Sequence, residues 1–239
     1  MSAPELLLSD DLAAVAVLAR DRIVAAAAGA IERRGRFRLC IDGGRPTQRL
    51  LELLAATPSL VDWAHTELFL GDERRTPIGD ARSNRALVER LLLDALPVKP
   101  AFHAPHGELP DGPGAAQAFE TVWREKLGVE GVDILLLGLG SDGHTASIFP
   151  HSPALVEGER WVMAVEAPST AEPKIGRLTL TPPPILAARE LLLLAVGDEK
   201  RAALRRLLAR DGSEGETPAR LIRRYAGVPV ILADRHAAA

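Results

Sequence analysis

The residues best placed to do chemistry stand in the stretch 132–150, VDILLLGLGSDGHTASIFP. An apolar run from Val132 to Leu139 ends at two glycines, Gly138 and Gly140, and Ser141, Asp142, Gly143 and His144 follow at once. A histidine titrates near neutrality, so it can accept a proton from water and return it within one reaction. Asp142 can hold the imidazole in one tautomer, although two residues' spacing does not by itself bring the groups together. Thr145 and Ser147 offer hydroxyls to a ligand or a cap to the next turn. The plainer alternative is a connecting turn. Glycine-rich turns after buried strands are common, and a lone histidine is more often packed than catalytic.

Three other places bring charge or free backbone donors to the end of an element. Asp42, Gly43 and Gly44 precede a helical pattern with Pro46 near its first position. Free N–H groups at such a helix start can hold an anion, and an ordinary strand-to-helix turn fits the same residues. Asp72, Glu73, Arg74 and Arg75 follow the apolar run 65–70. Two arginines there can grip a phosphate through fork-shaped donors, or form a solvated cluster. Lys200 falls in the first turn of a helix expected after Gly197, with Asp198 as its N-cap. A cation there opposes the helix dipole, and a bound anion would relieve the conflict.

Other constellations are weaker. His103 and His106 lie in a Pro- and Gly-rich stretch, 97–114, without acidic or cysteine partners at metal-ligand spacing. No metal and no other cofactor is expected. No GxSxG occurs and Ser147 has no evident base partner, so a nucleophilic triad is not expected either.

These residues sit on an alternation of strand and helix patterns. Strands are expected over 5–8, 36–41, 65–70, 132–139, 160–166, 177–180, 190–196 and 228–232, and helices over 11–34, 45 onward, 84–93, 113–127, 182–188 and 198 onward. Ser9 or Asp10 is the expected cap of the first helix, Gly35 its stop, and Ser83–Asn84 the start of the third. Residues 167–177 read as a loop. The alternation predicts a three-layer α/β/α fold, with a mainly parallel, Rossmann-like sheet and helices on both faces. In such a sheet ligands bind beyond the carboxyl ends of the strands, where the His144 turn and the Asp42 turn both fall. No repeat or linker divides the chain, so 1–239 reads as a single domain.

The composition narrows the partners. The chain has 239 residues, 47% of them hydrophobic, which suffices for one sizeable core. A net charge of −3 with acids and bases mixed gives no electrostatic footprint for nucleic acid, while a small anionic ligand needs only a few local cations. Cys40 is the only cysteine, which excludes an internal disulfide, and its apolar neighbours favour a small buried hydrophobe over a reactive thiol. The first residues lack a basic segment ahead of an apolar one, and charge interrupts the longest apolar runs. A cytoplasmic protein without membrane segments is expected.

The stretch GLGSDGHTASIFP resembles the signature of the 6-phosphogluconolactonases, part of a larger group with the glucosamine-6-phosphate deaminases. GDERRTPIGDARSN is similar to that family's DERxVPxxxxxSN segment, DGGRPT to its SGGxTP turn, RLTL to P-x-R-[IL]-T-L, and GDEK to GxxK. The glycine turn departs from the pattern: Asp42 stands where serine is usual, and Pro46–Thr47 reverses the order. The resemblance covers about Asp42 to Asp234. It implies hydrolysis of 6-phospho-D-glucono-1,5-lactone to 6-phospho-D-gluconate in the oxidative pentose phosphate pathway, by a monomer or homodimer. On that basis His144 is the expected base, with Asp142 beside it and Arg177 at substrate or oxyanion. Lys174 is a weaker candidate for that contact. Arg74, Arg75, Lys200, Gly43, Gly44 and Gly143 are expected at the sugar phosphate, Asp72 at the sugar, and Glu73 against an arginine. A carboxylate repels phosphate, so Asp42 is expected to face a sugar hydroxyl or a cation from Arg45 or Arg74. Two other functions remain open: a glucosamine-6-phosphate deaminase/isomerase, and a non-catalytic sugar-phosphate sensor. The deaminases typically continue DGHIAFNEP, with a glutamate soon after the histidine, whereas this chain has Phe149 and Pro150 there.

Overall fold

The computed structural model describes residues 3–128, 130–168 and 172–239. Its strands are β1 (Glu5–Ser9), β2 (Phe37–Ile41), β3 (Thr66–Leu70), β4 (Asp72–Arg74), β5 (Ala101–His103), β6 (Ile134–Gly138), β7 (Val162–Val165), β8 (Arg177–Leu180), β9 (Glu190–Ala195) and β10 (Val230–Asp234). Its helices are α1 (Leu12–Arg34), α2 (Arg45–Ala56), α3 (Asn84–Val88), α4 (Gly112–Leu127), α5 (Pro182–Leu186), α6 (Arg201–Leu208) and α7 (Arg235–Ala238). The main sheet has the order β1-β10-β9-β6-β2-β3-β5, and every pairing in it is parallel.

The leucine-rich strands are buried on both faces because helices cover both. Alternate side chains of one strand go to opposite sides. Leu135 and Leu137 join Cys40, Phe69 and Trp123 in one core, on the side of α4 and α6. Ile134 and Leu136 join Leu39, Ile23 and Leu51 in the other, on the side of α1 and α2. The three-layer α/β/α fold expected from the alternation is the fold observed. No helix among the described residues is long and apolar enough to cross a membrane.

Some boundaries differ for local reasons. Asp11, not Ser9 or Asp10, caps α1, accepting the Ala14 N–H at 2.9 Å, and Gly35 ends it at φ 69°. Asp198 does not cap its helix: it lies in a 3₁₀ turn, Asp198–Lys200, that Gly197 precedes, Lys200 stands at the N-cap of α6, and Asp198 accepts from Arg201. The 97–114 stretch contains the short edge strand β5, too brief for alternation to reveal. Residues 169–171 of the expected 167–177 loop lie outside the described residues. Asp72–Arg74, expected only as a strand end, forms β4 of a second, antiparallel sheet, β4-β8-β7.

Two features prepare a site. β2 and β6 are neighbours, but their pairing stops at Cys40↔Leu135, while β2–β3 runs on to Ile41↔Leu70 and β6–β9 to Gly138↔Leu194. The chain leaves β2 toward β3 on one side and β6 toward β9 on the other. The crevice between their ends is therefore the switch point of the sheet, where open α/β sheets bind ligands. The small sheet stands beside that crevice. Gly71 alone separates β3 from β4, and its carbonyl accepts the Leu180 N–H of β8 at 2.9 Å.

Candidate active site

Residues 140–144 close on themselves. The Gly140 N–H donates to the His144 carbonyl at 2.8 Å, and the Gly143 N–H to the Gly140 carbonyl at 3.0 Å. A Cβ at Gly140 would overlap the His144 imidazole, so only glycine leaves the ring its place. Asp142 and His144, which spacing alone could not join, are in contact. Asp142 Oδ1 lies 2.6 Å from His144 Nδ1 and accepts the His144 backbone N–H at 3.1 Å. Nδ1 is thereby fixed toward the carboxylate. Among the described residues Nε2 has no hydrogen-bond partner, and the ring, 4.8 Å from that of Phe149, lines an open cleft.

That cleft has a volume of about 250 Å³ and lies over the switch point. On the β2 side, Asp42, Gly43 and Gly44 form its wall, and Gly44 precedes α2 at φ 115°, a conformation suited to glycine. A Cβ at Gly43 would strike the Asn84 side chain. Among the described residues Asp42 forms no ion pair with a cation. Its carboxylate accepts the Thr47 hydroxyl at 3.1 Å and the Gly138 N–H, and the residue is buried. Burial, with Asp72 beside it, pushes the Asp42 carboxyl up to about 8.

The small sheet supplies the cations. Arg74 and Arg177 are cross-strand partners in β4 and β8, and both line the cleft. Arg177 is buried rather than an exposed edge charge, and it donates to the carbonyls of Ile175 and Pro173. Burial and the nearby Arg74 charge lower its pKa. Arg74 gives Nη1 to the Arg82 carbonyl at 2.9 Å. Lys200 adds an ammonium from the opposite wall, its side chain without a hydrogen bond among the described residues, and burial lowers its pKa. The turn before it is held by Asp234, whose carboxylate accepts the Gly197 N–H at 3.0 Å.

Not every expected residue arrives. Arg75 follows Arg74 in an extended chain, so its side chain points the other way. It donates to the Pro110 carbonyl at 2.5 Å and packs on Gly112, outside the cleft. Gly143 does not line the cleft either. Its φ of 96° shapes the turn, it lies against Thr217, and its carbonyl accepts the Ala219 N–H at 2.9 Å. Lys174 is exposed and is absent from the cleft wall. Glu73 orients no arginine side chain. It accepts the backbone N–H groups of Asn84 and Arg85, at 2.8 and 2.7 Å, and the Ser83 hydroxyl, acting as an anion at the start of α3.

The cleft wall holds further contacts that spacing does not disclose. Ser147 does have a carboxylate partner: its hydroxyl donates to Asp72 Oδ2 at 2.6 Å, and Asn84 Nδ2 donates to Asp72 Oδ1 at 2.9 Å. No imidazole joins that pair, so it makes no triad. Ala146 lines the cleft at φ 48°, a left-handed conformation uncommon for a residue with a Cβ. Arg45 and Glu199 face each other at 3.8 Å across the mouth, both exposed. A run of charge at two loop ends was the only sequence signal for them. Among the described residues no group of His, Cys, Asp and Glu side chains has the form of a metal site.

Fold and site together define a doubly wound α/β protein with a histidine–carboxylate pair and the cations of Arg45, Arg74, Arg177 and Lys200 around a switch-point cleft. The chain belongs to the family of glucosamine-6-phosphate isomerases/6-phosphogluconolactonases, whose model matches residues 10–230. It is 36% identical over 229 residues to a 6-phosphogluconolactonase of Streptomyces coelicolor, covering 90% of this chain and 87% of that one. It is 34% identical over 225 residues to a human 6-phosphogluconolactonase, covering 90% and 83%. The crystal structure of 6-phosphogluconolactonase from Leishmania guyanensis superposes with a TM-score of 0.88 at 29% identity, covering 99% of this chain and 98% of that one.

Proposed function

We propose that the protein hydrolyses 6-phospho-D-glucono-1,5-lactone to 6-phospho-D-gluconate, a step of the oxidative pentose phosphate pathway. The observation that carries this reading is the imidazole of His144, held at Nδ1 by Asp142, with Nε2 turned to a cleft that Arg74, Arg177 and Lys200 also line. Relatives named for this reaction, similar along most of the chain, support it.

In the proposed mechanism Arg74 and Lys200 hold the phosphate and so place the lactone C1 near His144. Water attacks C1 as His144 Nε2 takes its proton. Asp142 stabilises the imidazolium that results. The tetrahedral oxyanion is held by Arg177 or by backbone N–H groups of the glycine turns. As the C1–ring oxygen bond breaks, His144 returns the proton to the ring oxygen. The product leaves as an open-chain acid and loses its carboxyl proton to solvent. Asp72 and Asp42 are the proposed floor beneath the sugar. The reaction needs no cofactor in this scheme, and a cytoplasmic setting fits the substrate.

The test is lactone generated in situ, with acid release followed against the spontaneous background. Enhancement over background is expected. No enhancement would refute the lactonase reading, and ammonia release from glucosamine 6-phosphate would then decide for the deaminase.

A further inference from the structure

The two carboxyl groups at the bottom of the cleft present a difficulty that the mechanism leaves unsolved. Asp42 and Asp72 are both buried, both line the cleft, and neither forms an ion pair within 4.0 Å among the described residues. A site for an anionic sugar phosphate gains nothing from two uncompensated negative charges at its floor. Buried charges without partners are costly, and like charges in one site do not both persist.

The geometry sets the two apart. Asp72 lies in the small sheet and serves Ser147 and Asn84, both local to that side of the cleft. Asp42 lies at the switch point itself, in the gap where β2 and β6 have ceased to pair. Its side chain takes over from the missing ladder: one oxygen receives the Gly138 N–H at the end of β6, the other the Thr47 hydroxyl in the first turn of α2. One carboxyl group thus joins the strand that carries the His144 turn to the helix whose start walls the cleft.

We propose that Asp42 is a positioning residue that fixes the width of the switch-point crevice and keeps a second negative charge off its floor, by tying β6 to α2 while carrying a proton whenever an anionic substrate is bound. The proposal rests on the reading of the cleft as a sugar-phosphate site. The group faces Asp72 and Arg74 of β4 and the Cys40 thiol of its own strand, with Arg177, His144 and Lys200 around the same cleft. The nearby carboxylate and burial favour the proton; the Gly138 and Thr47 donors and Arg74 oppose it, and the balance leaves the group protonated at neutral pH. Above that range Asp42 ionises, the floor gains a second negative charge beside Asp72, and anions are repelled. Lys200 loses its charge toward alkaline pH as well, so only a comparison with a variant isolates Asp42.

The experiment measures the dissociation constant of 6-phosphogluconate by calorimetry between about pH 6.5 and pH 9.5, for the wild type and Asp42→Asn. In the wild type the constant is expected to rise on the order of tenfold more across this range than in the variant, the effect of one unit charge in a partly solvated site. Infrared spectra of the ligand-free wild type supply an independent readout. A protonated carboxyl C=O band, absent in Asp42→Asn, should be present at neutral pH and fade in alkaline buffer. Thr47→Val removes a donor to the ionised form and should move the fading to higher pH, which keeps the test decisive if Asp42→Asn fails to fold. Parallel binding curves, or no band at neutral pH, would overturn the proposal. A band that fades as expected in a protein that never binds 6-phosphogluconate would uphold the proton and overturn the sugar-phosphate reading, so the two failures are distinguishable.

Discussion

Among the described residues the molecule holds two half-buried histidine–carboxylate pairs, and only one stands at the switch point of the sheet. His144 meets Asp142 through Nδ1 at 2.6 Å, at the switch point. His103 meets Glu67 through Nε2 at 3.4 Å, on the edge strand β5. His103 lies against Phe69, ring centres 4.6 Å apart, and its Nε2 and the facing Glu67 oxygen are buried without a hydrogen bond. Arg38, one strand further in, leaves its Nε in the same state. The residue types are alike; the setting differs. At the edge no strand ends part, and the pocket that His103 lines with Phe119 and Val122 of α4 has a single arginine, Arg85, on its described wall. At the switch point two strands separate, and a pair of the same kind opens onto Arg45, Arg74, Arg177 and Lys200. Chemistry here follows topology more than composition.

The sharpest way to break this contrast is to remove each histidine in turn. His144→Ala should lower lactone turnover by about 10²–10⁴-fold, the range of a general base, while 6-phosphogluconate still binds. His103→Ala should leave turnover within about twofold, as a change outside the site does. Equal losses in both would end the distinction. Asp142→Asn should cost less than His144→Ala, about tenfold to a hundredfold in kcat, because the ring stays but loses its orienting anion. A rate unchanged in Asp142→Asn would reduce the short contact to packing.

The arginines extend the comparison. Arg74→Ala should raise KM for the lactone about tenfold or more, the loss of one charge-assisted hydrogen bond, and Arg75→Ala should leave it unchanged. The smallest effect concerns His103 alone. Burial lowers its pKa, so the unfolded chain binds the proton more readily than the folded one. Its contribution to stability is therefore complete above the ordinary histidine value of about 6.5 and is lost as pH falls below it. Urea midpoints measured through that window should fall with acid in the wild type and fall less in His103→Gln. Equal slopes would show that the edge pair does not titrate in the folding equilibrium.

What could be read from the sequence was local. The His144 turn is five residues long, and glycines at 138, 140 and 143 disclose its shape. The alternation of leucine-rich runs with alanine- and leucine-rich helices discloses the layers. What could not be read depends on partners far along the chain. Asp42 meets Gly138 across 96 residues, and Ser147 meets Asp72 across 75. Which of Arg74 and Arg75 faces inward is decided by the register of β4 against β8, over a hundred positions later in the sequence. Glu73 looked like a partner for an arginine because the two are neighbours in sequence, whereas α3 brings it backbone donors from residues 84 and 85. Strand β5, at three residues, is shorter than any periodicity can disclose.

The small antiparallel sheet has a consequence for how this molecule can change. The proton-handling turn hangs from β6 in the main sheet, whereas Arg74 and Arg177 come from β4 and β8, attached beside it through Gly71. The imidazole and the two arginines thus stand on separate pieces of scaffold. A mutational walk, natural or in the laboratory, can therefore alter the rungs of the small sheet while the imidazole keeps its place.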